Sequence, residues 1–276
     1  LCSTARRYQD IIVHHFRHII NETTQFQALC FTIAKGTMFV AFEGTDDSMV
    51  GWHEDFDMMH TFPIPSQKLA MEYLNQVITR KYHRVYVGGH SKGGNLAMTA
   101  CMYLPFWKQH KVKQIYNNDG PGFRKEEYES KEFKRIEKKL HVIIPESSVI
   151  GLLFYHKKDF QVVKSLGRGI YQHDLSNWLC YGAYFTPGTL TDEAKSQARR
   201  FSICFQKYSY AKKKEFVNIL FSLFKECNMT VFSEVTNPKI SKLIRLIHAS
   251  RKLDKESKEL LIDMFSIVLN NKVASK

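Results

Sequence analysis

The stretch Val85-Tyr86-Val87-Gly88-Gly89-His90-Ser91-Lys92-Gly93-Gly94-Asn95-Leu96-Ala97-Met98 decides the fold. A β-branched and aromatic run stops at a glycine pair, a serine stands between Gly89 and Gly93, and a helix-forming run begins at once. This is the G-x-S-x-G pattern of a nucleophile elbow, a strand-to-helix turn so sharp that its serine takes a strained backbone conformation. Glycines flank the serine because strand and helix pass too closely there for a side chain. Such a turn thrusts the Ser91 hydroxyl up from the sheet edge, at the positive end of the following helix. The pentapeptide alone is a weak signal; the strand before it, the helix after it and the extra Gly94 make it specific.

Working outward, residues 10–18, 26–34 and 37–43 read as strands, the last two joined at Lys35-Gly36 as a hairpin, so the sheet has an antiparallel start. The turn Glu43-Gly44-Thr45-Asp46-Asp47 follows a strand's carboxyl end, where open α/β sheets build their ligand crevice. Gly51-Trp52-His53-Glu54-Asp55-Phe56 comes next. Apolar residues at Leu69, Ala70, Tyr73, Leu74, Val77 and Ile78 predict a helix over 66–81. Beyond the elbow, a helix runs to about Leu104 and is ended by Pro105. Residues 112–116 form a strand closing in Asn117-Asn118-Asp119-Gly120-Pro121-Gly122, 124–140 a charged helix, and 141–144 and 160–163 two further strands. This alternation implies right-handed crossovers and a mostly parallel α/β sheet. The composition changes beyond Pro187-Gly188, and helical patterns near 191–203, 211–225, 238–249 and 255–269 have no strong strand between them. The expected division is a core over residues 1–188 and a helical C-terminal appendage over 189–276, serving as a cap, a docking surface or plain packing.

With 276 residues and 44% hydrophobic content, the chain can bury one large core, or a core plus a smaller appendage. No apolar run approaches the roughly 20 residues a membrane span needs, and no signal-peptide pattern opens the chain. It begins at Leu1 rather than methionine, consistent with a missing authentic N-terminus. Cys2, Cys30, Cys101, Cys180, Cys204 and Cys227 are dispersed with no C-x-x-C pair. They read as reduced thiols in a cytoplasmic setting, not as a disulfide framework or a zinc site. The formal charge is +13: residues 1–190 carry 23 basic and 18 acidic side chains, residues 191–276 carry 17 and 9. The tail's lysines are scattered without an aromatic or glycine-arginine pattern, so they read as a solvated helical surface and no nucleic-acid partner is expected. Peripheral contact with an anionic membrane is the remaining use of such a surface.

A serine attacks a carbonyl only if a base takes its proton and fixed donors hold the oxyanion. On this kind of elbow the base follows the serine, which leaves His110, His141, His156, His173 and His248. His173 is favoured because it lies in a glycine-flanked loop after the last expected strand, whereas His141 begins a strand and His248 lies in a tail helix. For the acid, Asp119 stands where a strand ends and Gly-Pro-Gly turns the chain; Glu146 and Asp159 are rivals near later strand ends. Asp174 ranks last, since neighbouring side chains point apart. The backbone N–H of Lys92 is one expected oxyanion donor, with the Thr45 or Asp46 N–H as the other. The side chains of His90 and Lys92 flank the serine but receive no catalytic step, and no metal or cofactor is called for.

Taken in order, Phe42-Glu43-Gly44-Thr45-Asp46-Asp47 with Trp52 and Asp55, Gly89-His90-Ser91-Lys92-Gly93-Gly94-Asn95-Leu96-Ala97, Asp119-Gly120-Pro121-Gly122-Phe123, and Gln172-His173-Asp174 with Trp178 resemble the bacterial Mbeg-like α/β hydrolases. These are relatives of the fungal-type class 3 lipases. The resemblance spans about residues 10–180 and implies an α/β-hydrolase fold with serine esterase or lipase-like activity on a small-molecule or lipid ester. Two positions depart from the lipases. They carry Arg where this chain has Glu43, and they place their acid after the strand that here leads into Glu146-Ser147-Ser148-Val149-Ile150-Gly151, where serines stand. The expectation is a Ser91-His173-Asp119 triad; the alternative is a binding module with a basic helical tail that kept the fold and lost turnover.

Overall fold

The computed structural model describes residues 5–157, 159–236 and 238–269. Seven strands lie side by side in chain order: β1 (Ile12–Ile20), β2 (Gln25–Ala34), β3 (Thr37–Phe42), β4 (Arg84–His90), β5 (Val112–Asn118), β6 (Leu140–Pro145) and β7 (Gln161–Val163). β2 and β3 are antiparallel, and β3 through β7 are parallel. The two-residue link Lys35-Gly36 permits the antiparallel turn because Gly36 takes a φ of 70°. Each parallel step needs a longer return, supplied between β3 and β6 by helices: α1 (Met49–Asp57), α2 (Pro65–Val77), α3 (Lys92–Met102), α4 (Phe106–Gln109), α5 (Lys125–Tyr128) and α6 (Lys131–Ile136).

All eleven residues of α3 are buried. A helix buried on every side must be covered all round, and α3 packs on β3, β4 and β5 as well as on α2 and α6. The register sets Phe42 beside Gly89 and His90 beside Asn118. The carboxyl ends of β3, β4 and β5 are therefore level, and Glu43, Ser91 and Asp119 each follow one of them. After β7 come a single helical turn over Gly169–His173 and a small hairpin of β8 (Cys180–Tyr181) and β9 (Tyr184–Phe185). A parallel sheet with an antiparallel start, flanked by helices and carrying a serine at the β4–α3 turn, is an α/β-hydrolase fold.

The chain divides into two compact units. One comprises Leu1–Ile20, Phe26–Gly44 and Pro65–Leu190; the other comprises Asn21–Gln25, Thr45–Ile64 and Thr191–Lys276. The second is helical, built from α1, α7 (Asp192–Lys207), α8 (Tyr210–Glu226), α9 (Ser233–Thr236), α10 (Ile240–Lys252) and α11 (Lys255–Leu269). α8 is its centre, burying Phe216, Val217, Leu220, Phe221, Leu223 and Phe224. Thr45–Ile64 therefore goes with the helices after Thr191, unlike the expected 1–188 and 189–276 division. The cause is aromatic packing: the Trp52 ring stacks on Phe232 at 3.8 Å between centroids, and Phe221 meets His53 at 4.3 Å and Phe56 at 5.5 Å.

Two local expectations also change. The single helix over 124–140 is broken into α5 and α6, because Ser130 adopts an extended backbone and its hydroxyl accepts the Phe133 N–H as a fresh N-cap. The helix expected over 66–81 ends at Val77. Among the described residues, no helix is long and apolar enough to cross a membrane. Cys30, Cys101, Cys204 and Cys227 are buried free thiols, whereas Cys180 is exposed; Cys2 lies outside the described residues.

Candidate active site

Ser91 links β4 to α3 with φ 56° and ψ −132°, a conformation that side chains avoid. A Cβ on Gly93 would strike the Phe42 carbonyl oxygen, and one on Gly89 would lie 2.5 Å from it, so the crossing of strand and helix closes only with hydrogen at both positions. The turn is held at both ends. The Ser91 N–H donates to the Asn118 carbonyl at 3.0 Å, and the Gly94 N–H donates back to the Ser91 carbonyl at 3.0 Å. Ser91 is half-buried, while the Lys92 side chain next to it is withdrawn from solvent, 1% exposed. Gly44 closes in on the elbow: a Cβ there would come within 2.8 Å of the His90 carbonyl oxygen and 3.2 Å of Ser91 Cβ.

Asp119, at the tip of β5, is the second residue of this site with a positive φ, 49°. The Asn117 side chain clamps the turn by accepting from the Gly120 N–H at 2.8 Å and donating to the Gly120 carbonyl at 3.1 Å. The Asp119 N–H donates to the Ile143 carbonyl at 2.8 Å. The carboxylate is fully buried, and three donors meet its two oxygens. Oδ2 lies 2.7 Å from His173 Nδ1; Oδ1 accepts the Ser148 hydroxyl and, at 3.1 Å, the Gly151 N–H. A carboxylate can only accept, so Nδ1 carries the proton and the Nε2 lone pair of His173 is left free.

The loop bearing His173 is fixed by its neighbours rather than by its own turn alone. Gln172 Oε1 accepts the Ser147 N–H at 2.9 Å, and the Gln172 carbonyl accepts the buried Trp178 indole N–H at 2.8 Å. His90 Nε2 donates to the His173 carbonyl at 2.7 Å, and the two rings lie 4.3 Å apart. A carbonyl acceptor requires the proton on His90 Nε2. Burial and then the adjacent His173 hold the His90 imidazole below its ordinary pKa, which keeps that ring neutral near pH 7. The sequence reading gave His90 no role. Its position beside the serine was visible, but its acceptor lies 83 residues further on and no local pattern marks that pairing.

The rival residues have other surroundings. Glu146 Oε1 accepts the Thr189 N–H at 3.3 Å, Asp159 is 94% exposed with Lys157 Nζ at 3.9 Å, and Asp174 Oδ1 accepts the Ser176 N–H at 2.9 Å. His141 stacks on Tyr116, His110 meets Phe106, His156 Nδ1 lies 3.0 Å from the Lys157 carbonyl, and His248 is exposed on α10. In the second unit, the Thr45 hydroxyl donates to Asp55 Oδ2 at 2.5 Å, and Asp46 Oδ1 accepts the Ser48 N–H at 2.9 Å and the Ser48 hydroxyl. Those bonds shape the start of α1, with Ser48 as its N-cap. Among the described residues, no group of three or more His, Cys, Asp or Glu side chains could hold a metal ion.

Fold and elbow together define a protein of the α/β-hydrolase fold. A family model of the Mbeg1-like proteins matches residues 2–222, and the chain belongs to that family. None of the curated proteins matches it. Among solved structures, it is similar to M37 lipase at 16% identity and a TM-score of 0.39, over 54% of this chain and 59% of that one. It is also similar to a fungal lipase in complex with an inhibitor, at 12% identity and a TM-score of 0.37, over 57% and 66%. The chain thus spans about three-fifths of the length of M37 lipase.

Proposed function

We propose that this protein is a serine hydrolase that cleaves a carboxylic ester through an acyl-enzyme. Ser91 Oγ attacks the ester carbonyl carbon as His173 Nε2 takes its proton, and the C=O electron pair moves onto oxygen. Collapse of that tetrahedral species expels the alcohol, which receives the proton from His173. Water, activated by the same imidazole, then releases the acid and returns the proton to Ser91. Asp119 holds the imidazole in the tautomer with Nε2 unprotonated and stabilises the imidazolium. The Lys92 N–H serves as an oxyanion donor.

The observation that carries this reading is the 2.7 Å contact between His173 Nδ1 and a fully buried Asp119 carboxylate, in a chain whose elbow serine is half-buried. A surface turn has no need of a desolvated carboxylate aimed at one imidazole. The alternative, a binding module without turnover, rests on serines standing at the lipases' acid position and on the basic tail. Ser148 donating to Asp119 Oδ1 gives that serine a different use. Steady-state hydrolysis of short p-nitrophenyl esters tests the proposal. The wild-type protein is expected to turn over, and Ser91→Ala to lose about 10³-fold or more in kcat; equal residual rates in both proteins would exclude it.

A further inference from the structure

One face of α10 runs against the usual logic of a helix on a folded unit. Ile240, Leu243, Ile244 and Ile247 are 78%, 44%, 50% and 45% exposed, and their spacing of i, i+3, i+4 and i+7 sets them in one stripe. The opposite face buries Ala249 and turns Lys242 inward, where its ammonium meets Glu234 at 2.5 Å and the Asn228 carbonyl at 2.9 Å. α10 packs on α8 through that side. The apolar stripe is therefore the solvent side of a helix that is already seated.

The charges beside the stripe all have one sign. From Lys239 to Lys252 the sequence holds no Asp or Glu, and Lys239, Arg245, Arg251 and Lys252 are exposed. Lys252 shares Glu226 at 2.6 Å; Arg251, seven residues after Ile244, falls on the stripe's side of the helix and Lys239 stands at its start, whereas Arg245, three residues after Lys242, lies with it on the other side. A second copy of the chain would bring the same cations face to face across a twofold axis, an arrangement opposed by a net charge of +13. An anionic lipid surface offers the complementary sign and accepts aliphatic side chains below its headgroups. A helix of 13 residues is about 20 Å long, enough to lie in the interface plane.

We propose that α10 is an interfacial helix that attaches the protein to anionic bilayers, its aliphatic stripe seated among the acyl chains and Lys239 and Arg251 at the phosphates. The inference stands apart from the chemistry assigned to Ser91.

Vesicle sedimentation with the full chain tests it, using phosphatidylcholine alone and phosphatidylcholine mixed with phosphatidylglycerol. The wild-type protein is expected to pellet with the mixed vesicles and much less with the neutral ones. Ile244→Ser with Ile247→Ser should weaken that binding at least about tenfold, because each exposed isoleucine loses its apolar burial. Lys239→Gln with Arg251→Gln should weaken it about fivefold per charge at low salt and remove the preference for anionic lipid. All four side chains are exposed, so the variants keep the fold, checked by circular dichroism. Wild-type protein that stays in the supernatant, or an isoleucine variant that binds as well as wild type, overturns the proposal. So does a wild-type dimer that becomes monomeric with those two serines, which would assign the stripe to a second copy.

Discussion

Ser148 donates its hydroxyl to Oδ1 of Asp119, the carboxylate whose other oxygen meets His173. The serine follows β6, and it holds a carboxylate that comes from the end of the preceding strand. Ser148 is 2% exposed, so removing its hydroxyl leaves one oxygen of a buried carboxylate with only the Gly151 N–H. A hydrogen bond to a charged group contributes about 1.5–3 kcal/mol. Ser148→Ala is expected to lose about 2 kcal/mol in urea unfolding and about tenfold in kcat for ester hydrolysis, with Ser148→Thr restoring most of both. An alanine variant as stable and active as wild type would show that the contact is incidental.

The backbone of Ser91 carries a cost that the fold supports elsewhere. A non-glycine residue at φ 56° and ψ −132° costs about 1–3 kcal/mol. Glycine relieves it, less the extra entropy it adds to the unfolded chain. Ser91→Gly is therefore expected to be about 1 kcal/mol more stable than wild type, and Ser91→Ala, which keeps Cβ, no more stable than wild type. Urea midpoints of the three proteins check the order; a glycine variant less stable than the alanine variant contradicts the strained turn.

His90 supplies a pH dependence of known sign. Burial and the neighbouring His173 lower its pKa in the folded chain from the ordinary 6.5. The unfolded chain therefore binds a proton there at a pH where the folded chain does not. Stability present above pH 6.5 is lost as the pH falls through that value, until the folded group protonates as well. His90→Gln keeps an amide donor for the His173 carbonyl and cannot titrate. Its Tm should fall less than that of wild type between about pH 7.5 and 5.5. His173, Asp119 and Asp174 remain in both proteins, so an identical fall would remove His90 from the account.

The elbow was legible because its constraint is local: glycines at fixed offsets, a strand before and a helix after. That the sheet is mostly parallel with an antiparallel start was legible from the alternation of strands and helices, and the end of β5 from the glycine-proline turn that follows it. What could not be read was every contact whose partner lies far along the chain. Gly51-Trp52-His53 carries no mark that its rings pack on Phe221 and Phe232. Nor does Ser148 announce an acceptor 29 residues back. The break between α5 and α6 was missed for a different reason, since a serine inside a charged, helix-favouring run reads as surface until its hydroxyl is seen capping a new turn.

The account turns on Ser91 being a nucleophile that His173 activates, and covalent labelling reads that directly. Folded wild-type protein treated with a fluorophosphonate is expected to gain a single adduct by intact mass, located by peptide mapping on Ser91. His173→Ala should slow its formation at least about a hundredfold. No adduct on the folded protein, or an adduct formed equally fast on Ser91→Ala, would contradict it.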